Sequence, residues 1–488
     1  MAHPLTERIA AVLDLQPDAP AFEHAGQWFS WAQLGVSARR IAELTGGGKV
    51  GILLRNRPPQ LAALLGVLLA GGCVVVINPS RGDDRTRADI AALELPLVIG
   101  EPEDLAALVA ATPSTTLVSI ADLAAEPLLT RATEPASDTA RPGVAVWMLT
   151  SGTTGPPKRI DLTYDMLAHS VIGPDPTRAP APTQVRSGVA IVNSPLVHIG
   201  GVFRVLQCVA DARSFVLLDR FELNGWADAV RKYRPRAVSL VPAALRMVLH
   251  SDLTREDLAS VRAVTSGTAP LSADDSDAFT AKFGIPVLTS YAATEFGGGV
   301  AGWTLGDYQQ FWQNKRGSVG RASQGAQLRV VGDDGVPLGP DQPGLLEVKP
   351  GQLGPDTDWM RTTDLARIDA DGFLWILGRA DQAIIRGGFK VMPDDVRVAL
   401  EAHPAVKGAA VVGRSDDRLG QTPVAAVELH SGAVTDAETL ADFLSTRLAR
   451  YEVPTGITIV DALPRTPSGK ADLNAVRELI DAQGRHAH

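Results

Sequence analysis

The residues whose types and spacing could do chemistry begin with Leu149-Thr150-Ser151-Gly152-Thr153-Thr154-Gly155-Pro156-Pro157-Lys158. Glycine lets a backbone turn its N–H groups inward on an anion, hydroxyls add donors, and lysine adds a point charge. That combination suits a polyphosphate. The spacing is not that of the common P-loop, which needs four residues between its glycines and Lys-Ser/Thr directly after the second. Only Thr153 and Thr154 separate Gly152 from Gly155, and Pro156-Pro157 forbids a helix that opens at once with free N–H groups. An ordinary Gly/Ser/Thr turn competes with this reading, because short Gly-rich turns are frequent.

Downstream, Tyr291-Ala292-Ala293-Thr294-Glu295-Phe296-Gly297-Gly298 sets an aromatic ring, a hydroxyl and a carboxylate close together. These could stack a base, touch a phosphate and hold a metal. Mg²⁺ keeps most of its waters and often takes one or two protein carboxylates besides phosphate oxygens, so a lone Glu295 is a sufficient ligand. Taken alone, Glu295 also reads as an exposed carboxylate beside a glycine loop. His198, followed by Ile199-Gly200-Gly201-Val202 at a strand end, could line a pocket or sit on a surface loop. Lys470 closes Leu463-Pro464-Arg465-Thr466-Pro467-Ser468-Gly469-Lys470, where a solvated lysine in a Pro/Gly turn is the plain alternative.

Positioning these groups falls to an alternation of strands and helices. The apolar run 144–149 reads as a buried strand leading into the first loop. Residues 28–34 end a strand and cap a helix with Ser30, and that helix runs toward Leu44. Residues 49–54 read as a strand and 59–70 as a helix. The uncharged stretch 61–77 approaches membrane-spanning length, but Gly71-Gly72 divides it and its second half is β-branched; a buried helix, a tight turn and a buried strand are expected. A helix over 164–171 and strands over 189–192, 238–241 and 263–266 continue the pattern, with a helix over 242–250. Residues 325–348 suggest short antiparallel strands with Asp333-Asp334-Gly335 as a hairpin turn. Residues 384–391 read as a hairpin, 393–403 and 437–450 as helices, and 406–412, 424–429 and 457–460 as strands. The fold class is therefore α/β, with mixed, largely parallel sheets and helices followed by a small α+β domain at the C-terminal end.

Composition narrows the function. The 488 residues suffice for more than one domain, and 45% hydrophobic with 21% charged residues is ordinary for a soluble globular chain. A formal net charge of −9 without a basic block argues against general nucleic-acid binding. Cys73 and Cys208 lie in apolar stretches and read as core residues. The first residues carry Glu7, Arg8 and Asp14 and lack the apolar segment of a signal peptide, so a cytoplasmic protein with no membrane span is expected.

The ordered set of motifs resembles the adenylate-forming superfamily, which includes acyl-CoA and aryl-CoA synthetases, peptide-synthetase adenylation domains and luciferases. The resemblance spans almost the whole chain and implies a single large N-terminal domain with a β-barrel-like part. It implies that Thr150, Ser151, Gly152, Thr153, Thr154, Gly155 and Lys158 hold the β- and γ-phosphates of ATP, that Gly267-Thr268-Ala269-Pro270 with Tyr291 and Ala292 hold adenine, and that Asp364 and Arg379 hold ribose. Thr294 and Lys470 would face the α-phosphate and the incoming carboxylate, and Glu295 would hold Mg²⁺. His198, Gly200, Gly201, Val202, Ser266, Gly267, Gly297 and Gly298 would line the acid pocket. Asp381 would be the pivot of a hinge at 379–381 between a large domain, 1–378, and a mobile lid, 382–488. Gly387, Gly388, Phe389 and Lys390 would then face coenzyme A.

Two features depart from the family pattern. Thr363 stands where the family has glycine before the aspartate, and the segment 349–358 is short. No aspartate lies between Val192 and Val202, where amino-acid-activating relatives carry one, so amino acids are disfavoured as substrates. The implied activity is ATP-dependent ligation of a carboxylic acid to coenzyme A through an acyl-adenylate. Transfer to a carrier protein or an amine is the alternative, a degenerate nucleotide-binding protein is a third reading, and a homodimer is left open.

Overall fold

The computed structural model describes residues 2–110, 112–134, 141–149, 158–387, 389–416, 418–466 and 469–484. Its largest sheet has seven strands, in the spatial order Leu128–Thr130, Thr116–Ser119, Leu97–Gly100, Lys49–Leu53, Cys73–Ile77, Val144–Leu149 and Arg159–Thr163. The central strands are parallel, and Lys49–Leu53 and Cys73–Ile77 are buried along their whole length. Strands covered on both faces must be continuously apolar, which is why their sequences lack alternation. Val144–Leu149 runs parallel to Cys73–Ile77 and antiparallel to Arg159–Thr163, so the Gly-rich stretch joins two adjacent strands.

The stretch 61–77 folds as a buried helix, Pro58–Leu69, closed by turns at Gly71 and Gly72 and followed by the strand Cys73–Ile77. No helix among the described residues is long and apolar enough to cross a membrane. Ser30 caps the helix Trp31–Thr45 with a reciprocal pair: its hydroxyl accepts from the Gln33 N–H, and the Gln33 side chain accepts from the Ser30 N–H.

A second sheet positions the middle motifs. Ala237–Ser239, Ala263–Ser266 and Val287–Ala293 are parallel and in adjacent order, so the Gly267 turn and the Thr294-Glu295 turn emerge at the same edge. Gly298–Gly302 returns antiparallel after a short 3₁₀ turn, Thr294–Phe296. A third sheet is wholly antiparallel, running Gln327–Val331, Gly344–Lys349, Met360–Ile368 and Leu374–Arg379 in sequence order. Its inner face, Val330, Leu346, Val348, Ala366 and Leu374, packs with Phe296, Val300 and Ala301 of the second sheet. That packing brings Asp364 against Tyr291. A fourth sheet combines Arg186–Val192, Arg213–Leu217, Pro20–His24 and Gln27–Ser30.

From Ile384 onward the chain forms its own sheet and cores. Phe389–Val391, Ile384–Arg386, Gly420–Leu429 and Val406–Asp416 are adjacent and antiparallel, and Gly456–Val460 pairs parallel with Gly420–Leu429. The helices Pro393–Glu401 and Ala437–Ser445 cover one face and Leu473–Gly484 the other.

Asp333-Asp334-Gly335 forms the expected hairpin turn, with Val331 bridged antiparallel to Pro337 and the Leu338 N–H donating to the Val330 carbonyl. Two elements differ from expectation. The helix expected over 437–450 ends at Ser445. The hydroxyls of Ser445 and Thr446 bond back to the carbonyls of Asp442 and Phe443, competing with continuation of the helix. The strand expected over 238–241 stops at Ser239, because Val241 is already the extended cap of the helix that Pro242 opens.

Candidate active site

The site lies where the second and third sheets meet the small C-terminal unit. Asp364 sits on the edge of Met360–Ile368, opposite Arg379 in the register. The Tyr291 hydroxyl donates to Asp364 Oδ2, the Asp364 N–H donates to Thr362 Oγ1 at 3.0 Å, and Thr362 Oγ1 donates to the Leu346 carbonyl at 2.9 Å. Burial pushes the Asp364 carboxyl above the usual range, while the Tyr291 hydroxyl and the Arg379 charge pull it down. Burial likewise pushes the Tyr291 phenol up, with Asp364 adding to the effect. The Tyr291 hydroxyl is thus spent on the carboxylate, and its ring lies tilted against Phe296 with centroids 6.0 Å apart.

Arg379 is held from two sides. Its Nε and Nη2 donate to the two oxygens of Asp381 at 2.9 and 2.7 Å, and Nη2 also donates to Thr363 Oγ1 at 2.7 Å. Thr363, the residue that departs from the family pattern, thus supplies a hydroxyl that glycine could not. It bonds the guanidinium where Met360–Ile368 is irregular, residues 362–364 being extra to the pairing with Gly344–Lys349.

Lys470 arrives from the far end of the chain. The Thr466 N–H donates to the Lys470 carbonyl at 2.7 Å, the Gly469 N–H donates to the Thr466 carbonyl at 2.8 Å, and Gly469 takes a φ of +81°. Burial, then the Arg379 charge, push the Lys470 ammonium below its ordinary range; the carboxylates of Asp364 and Glu295 pull it back up. These four groups consequently share one cleft. No hydrogen bond reaches the Lys470 ammonium, and neither a hydrogen bond nor an ion pair reaches the exposed Glu295 carboxylate, among the described residues. An uncommitted carboxylate oxygen at the cleft rim fits a hard cation such as Mg²⁺. No cluster of three or more metal-ligating side chains exists among the described residues.

The turn after Ala263–Ser266 is unusual. Thr268 has a φ of +72°, which a β-branched residue rarely adopts. A side chain at Gly267 would meet the Ser290 hydroxyl at 2.8 Å, so the turn lies flat against Val287–Ala293. Ala269, Pro270 and Ala292 flank it at the same edge. Gly297 takes a φ of +71°, and a Cβ there would meet Met166 Cε at 2.6 Å; Gly298 follows with a φ of +149°.

His198 is the N-cap of the helix Ile199–Ala210, and its carbonyl accepts from the N–H groups of Gly201 and Val202. Glycine is required at 201, where a Cβ would lie 2.1 Å from the Pro195 carbonyl oxygen. Val202 faces the core and Gly200 does not. The loop that presents His198 is anchored by buried Asn56. Its amide donates to the carbonyls of Ser194 and Leu218 at 3.0 and 2.9 Å and accepts from the Leu196 N–H at 2.8 Å. No motif marks Asn56; the one available signal is an asparagine directly after a buried strand.

Other expected positions are placed differently. Thr150, Ser151, Gly152, Thr153, Thr154, Gly155 and Gly388 lie outside the described residues, and Lys158 is exposed directly after the first group. Phe389 is 57% exposed and stacks on Tyr451 with centroids 4.7 Å apart, so it faces away from the cleft, and Gly387 bonds to the Leu419 carbonyl. Cys73 and Cys208 are free and buried, as expected of core residues.

Known proteins carry the same organisation. The profile described as AMP-binding enzyme matches residues 9–354, and that described as AMP-binding enzyme C-terminal domain matches residues 396–470. The chain is 29% identical to an indoleacetate–CoA ligase of Aromatoleum aromaticum, covering 98% of each, and 30% identical to 4-coumarate–CoA ligase 3 of Oryza sativa subsp. japonica, covering 91% of this chain and 86% of the relative. Among solved structures, ATP-bound MatB from Rhodopseudomonas palustris superposes with a TM-score of 0.80 at 27% identity, over 97% of this chain and 98% of that one. The same protein without nucleotide superposes with a TM-score of 0.69.

Proposed function

This chain belongs to the AMP-binding enzyme family, and we propose that its cleft runs two half-reactions on one carbonyl, with the residues divided as follows. The chain is an AMP-forming acid–CoA ligase: ATP and a carboxylic acid give acyl-AMP and pyrophosphate, and coenzyme A then takes the acyl group. Both reactants of the first step are anions, so the protein must cancel their repulsion and align an in-line displacement. An oxygen of the acid's carboxylate bonds to the α-phosphorus while the bond to pyrophosphate breaks.

Asp364 accepts from the ribose hydroxyls, and Arg379 holds the ribose or phosphate beside it. The Tyr291 ring and the Gly267–Pro270 turn sandwich adenine, with Ala292 alongside. Lys470 and Thr294 face the α-phosphate and the entering carboxylate. Thr150 to Gly155 and Lys158 cradle the outer phosphates. Glu295 would hold Mg²⁺, which when bound neutralises phosphate charge. His198 borders the carboxylate of the acid, and Gly200, Gly201, Val202, Ser266, Gly297 and Gly298 shape its pocket.

In the second step the thiol sulfur attacks the carbonyl and AMP leaves with the bonding pair on its phosphate oxygen. In this reading Lys470 occupies that approach during the first step. A swing of residues 382–488 about 379–381, with Asp381 releasing Arg379, would withdraw it and bring Gly387 to Lys390 toward the cleft. A cytoplasmic site of action accords with the two buried free thiols.

The observation that carries this reading is the convergence of Lys470 with Asp364, Glu295 and Arg379, from segments far apart in the chain, in one partly buried cleft. The test is a pyrophosphate-release screen over fatty, aryl and polycyclic acids, with and without coenzyme A. Acid-dependent pyrophosphate and a coenzyme A thioester are expected. Pyrophosphate with no thioester, but with transfer to a carrier protein or an amine, would move the chain to the alternative branch.

A further inference from the structure

The helix Ile199–Ala210 turns two different faces to its surroundings. Val202, Val205, Leu206 and Val209 are buried in the main core, while Gly200, Phe203, Arg204 and Gln207 share the opposite, partly exposed face. Arg204 lies one turn beyond Gly200 on that face, and a helical side chain leans toward the N-terminus, here toward Gly200 and His198. At Gly200 there is open space: a Cβ would meet nothing within 4 Å. The corridor between His198 and Arg204 is therefore not filled by this helix.

The Arg204 guanidinium is poorly satisfied. Its Nη1 donates to Gln207 Oε1 at 2.9 Å, but its Nε is buried with no partner, and no carboxylate lies within ion-pair distance among the described residues. Other arginines of similar burial are treated differently. Arg159 pairs with Asp89 at 2.6 Å, Arg246 with Asp275 and Glu401, and Arg397 with Asp394 and Glu401. Arg8, without a carboxylate, spends its donors on the carbonyls of Ala179, Pro180 and Ala210. A half-buried guanidinium whose buried Nε N–H is idle is costly in the folded protein unless something supplies the acceptor.

We infer that Arg204 is the specificity-determining residue of the acid pocket, and that this ligase takes acids bearing a second oxyanion, such as a dicarboxylate, whose distal group is the missing counter-ion. The inference rests on the ligase activity and pocket proposed above and adds the substrate class. Guanidinium offers a planar fork that matches a carboxylate with two N–H donors. The helix sets the length: His198 to Arg204 spans ~9 Å of axis, so a spacer of several carbons or an aromatic ring fits between the reacting and the distal group. The reacting carboxylate is adenylated as before, and the distal one stays ionised and unreacted against Arg204.

The test compares straight-chain dicarboxylic acids of increasing length with their monomethyl esters, which keep the shape and lose the second charge. Pyrophosphate release is read with the full chain, ATP and coenzyme A. The free diacid should exceed its monoester in kcat/KM by roughly tenfold or more at the best length, because a site built to pair a polar group rejects the analogue lacking it. In Arg204→Met that ratio should collapse toward one, and Arg204→Lys, which keeps a cation, should retain part of it. A wild type that prefers the monoesters, or a ratio unmoved in Arg204→Met, overturns the assignment while leaving the ligase activity standing. Pyrophosphate release with no acid of either kind overturns the activity itself and the assignment with it.

Discussion

The two ends of the cleft treat their charged groups in opposite ways. At the ribose end nearly every polar atom is engaged: Tyr291 bonds Asp364, Arg379 bonds both oxygens of Asp381 and the Thr363 hydroxyl, and Thr362 ties the strand to Leu346. At the Lys470 end, Lys470 and Glu295 hold no such bonds among the described residues, and on the helix Ile199–Ala210 Arg204 keeps an idle N–H. The difference separates positioning from reaction. Engaged groups fix a part of the ligand that does not change, and they need no reorganisation when it binds. Uncommitted charges are held near their work by the fold and find their partners in the reactants, where they are worth most because little water competes.

Breaking the uncommitted end should cost most. Lys470→Ala removes the cation that the proposed mechanism sets against the α-phosphate and should lower acid-dependent pyrophosphate release ~10³-fold, with ATP binding much less affected. Its pH profile should carry the same signature. The protonated amine is the working form and its pKa is lowered by burial and Arg379, so adenylate formation should decline as pH rises through a value below the ordinary 10.5 of lysine. An alkaline limb at or above that value would place the ammonium in solvent.

The engaged end should respond more mildly. Asp364→Ala leaves the Tyr291 hydroxyl without its acceptor and removes the carboxylate charge beside Arg379, and should raise the KM for ATP by ~10²-fold, a loss of about 2.7 kcal/mol. Thr363→Gly restores the family's residue and frees one side of Arg379; an ATP KM raised roughly threefold, with the thioester step untouched, is expected.

A further contact joins the C-terminal unit to the rest of the chain. Arg246, on the helix Pro242–Leu249, bonds Asp275 at 2.8 Å and reaches across to Glu401 of the small unit at 3.0 Å, while His250 stacks edge-on against His430 at 4.9 Å between centroids. Arg246→Ala should slow pyrophosphate release ~10-fold by depopulating this arrangement, with less effect on thioester formation from supplied acyl-adenylate. A double-mutant cycle with Glu401→Gln isolates the pair, and additive losses would show that it does not couple the units.

Much of this was legible in the residues. Tyr291, Glu295, Asp364 and Lys470, whose charges and ring the fold brings near one another, stand out in the sequence because such residue types recur at short spacing, whereas the Gly-rich stretch 150–157 lies outside the described residues. The capped helix after Ser30 and the buried strand 73–77 follow from local signals that the tertiary structure does not oppose. What could not be read depends on contacts between distant segments. Asn56 matters through a loop about 140 positions away, and Glu401 meets Arg246 only once the lid is placed. Arg204 looks like any helix-surface arginine until its burial and missing counter-ion are seen. The helix end at Ser445 turned on hydroxyls bonding backward, a choice that periodicity does not record.

The most direct test of the central claim, that one cleft serves two chemistries by lending and withdrawing Lys470, is to give Lys470→Ala a ready-made acyl-adenylate with coenzyme A. Thioester formation within about threefold of the wild-type rate, beside a thousandfold loss of pyrophosphate release, is the predicted outcome. Parallel loss of both half-reactions would contradict it, because the lysine would then be part of a single arrangement used throughout.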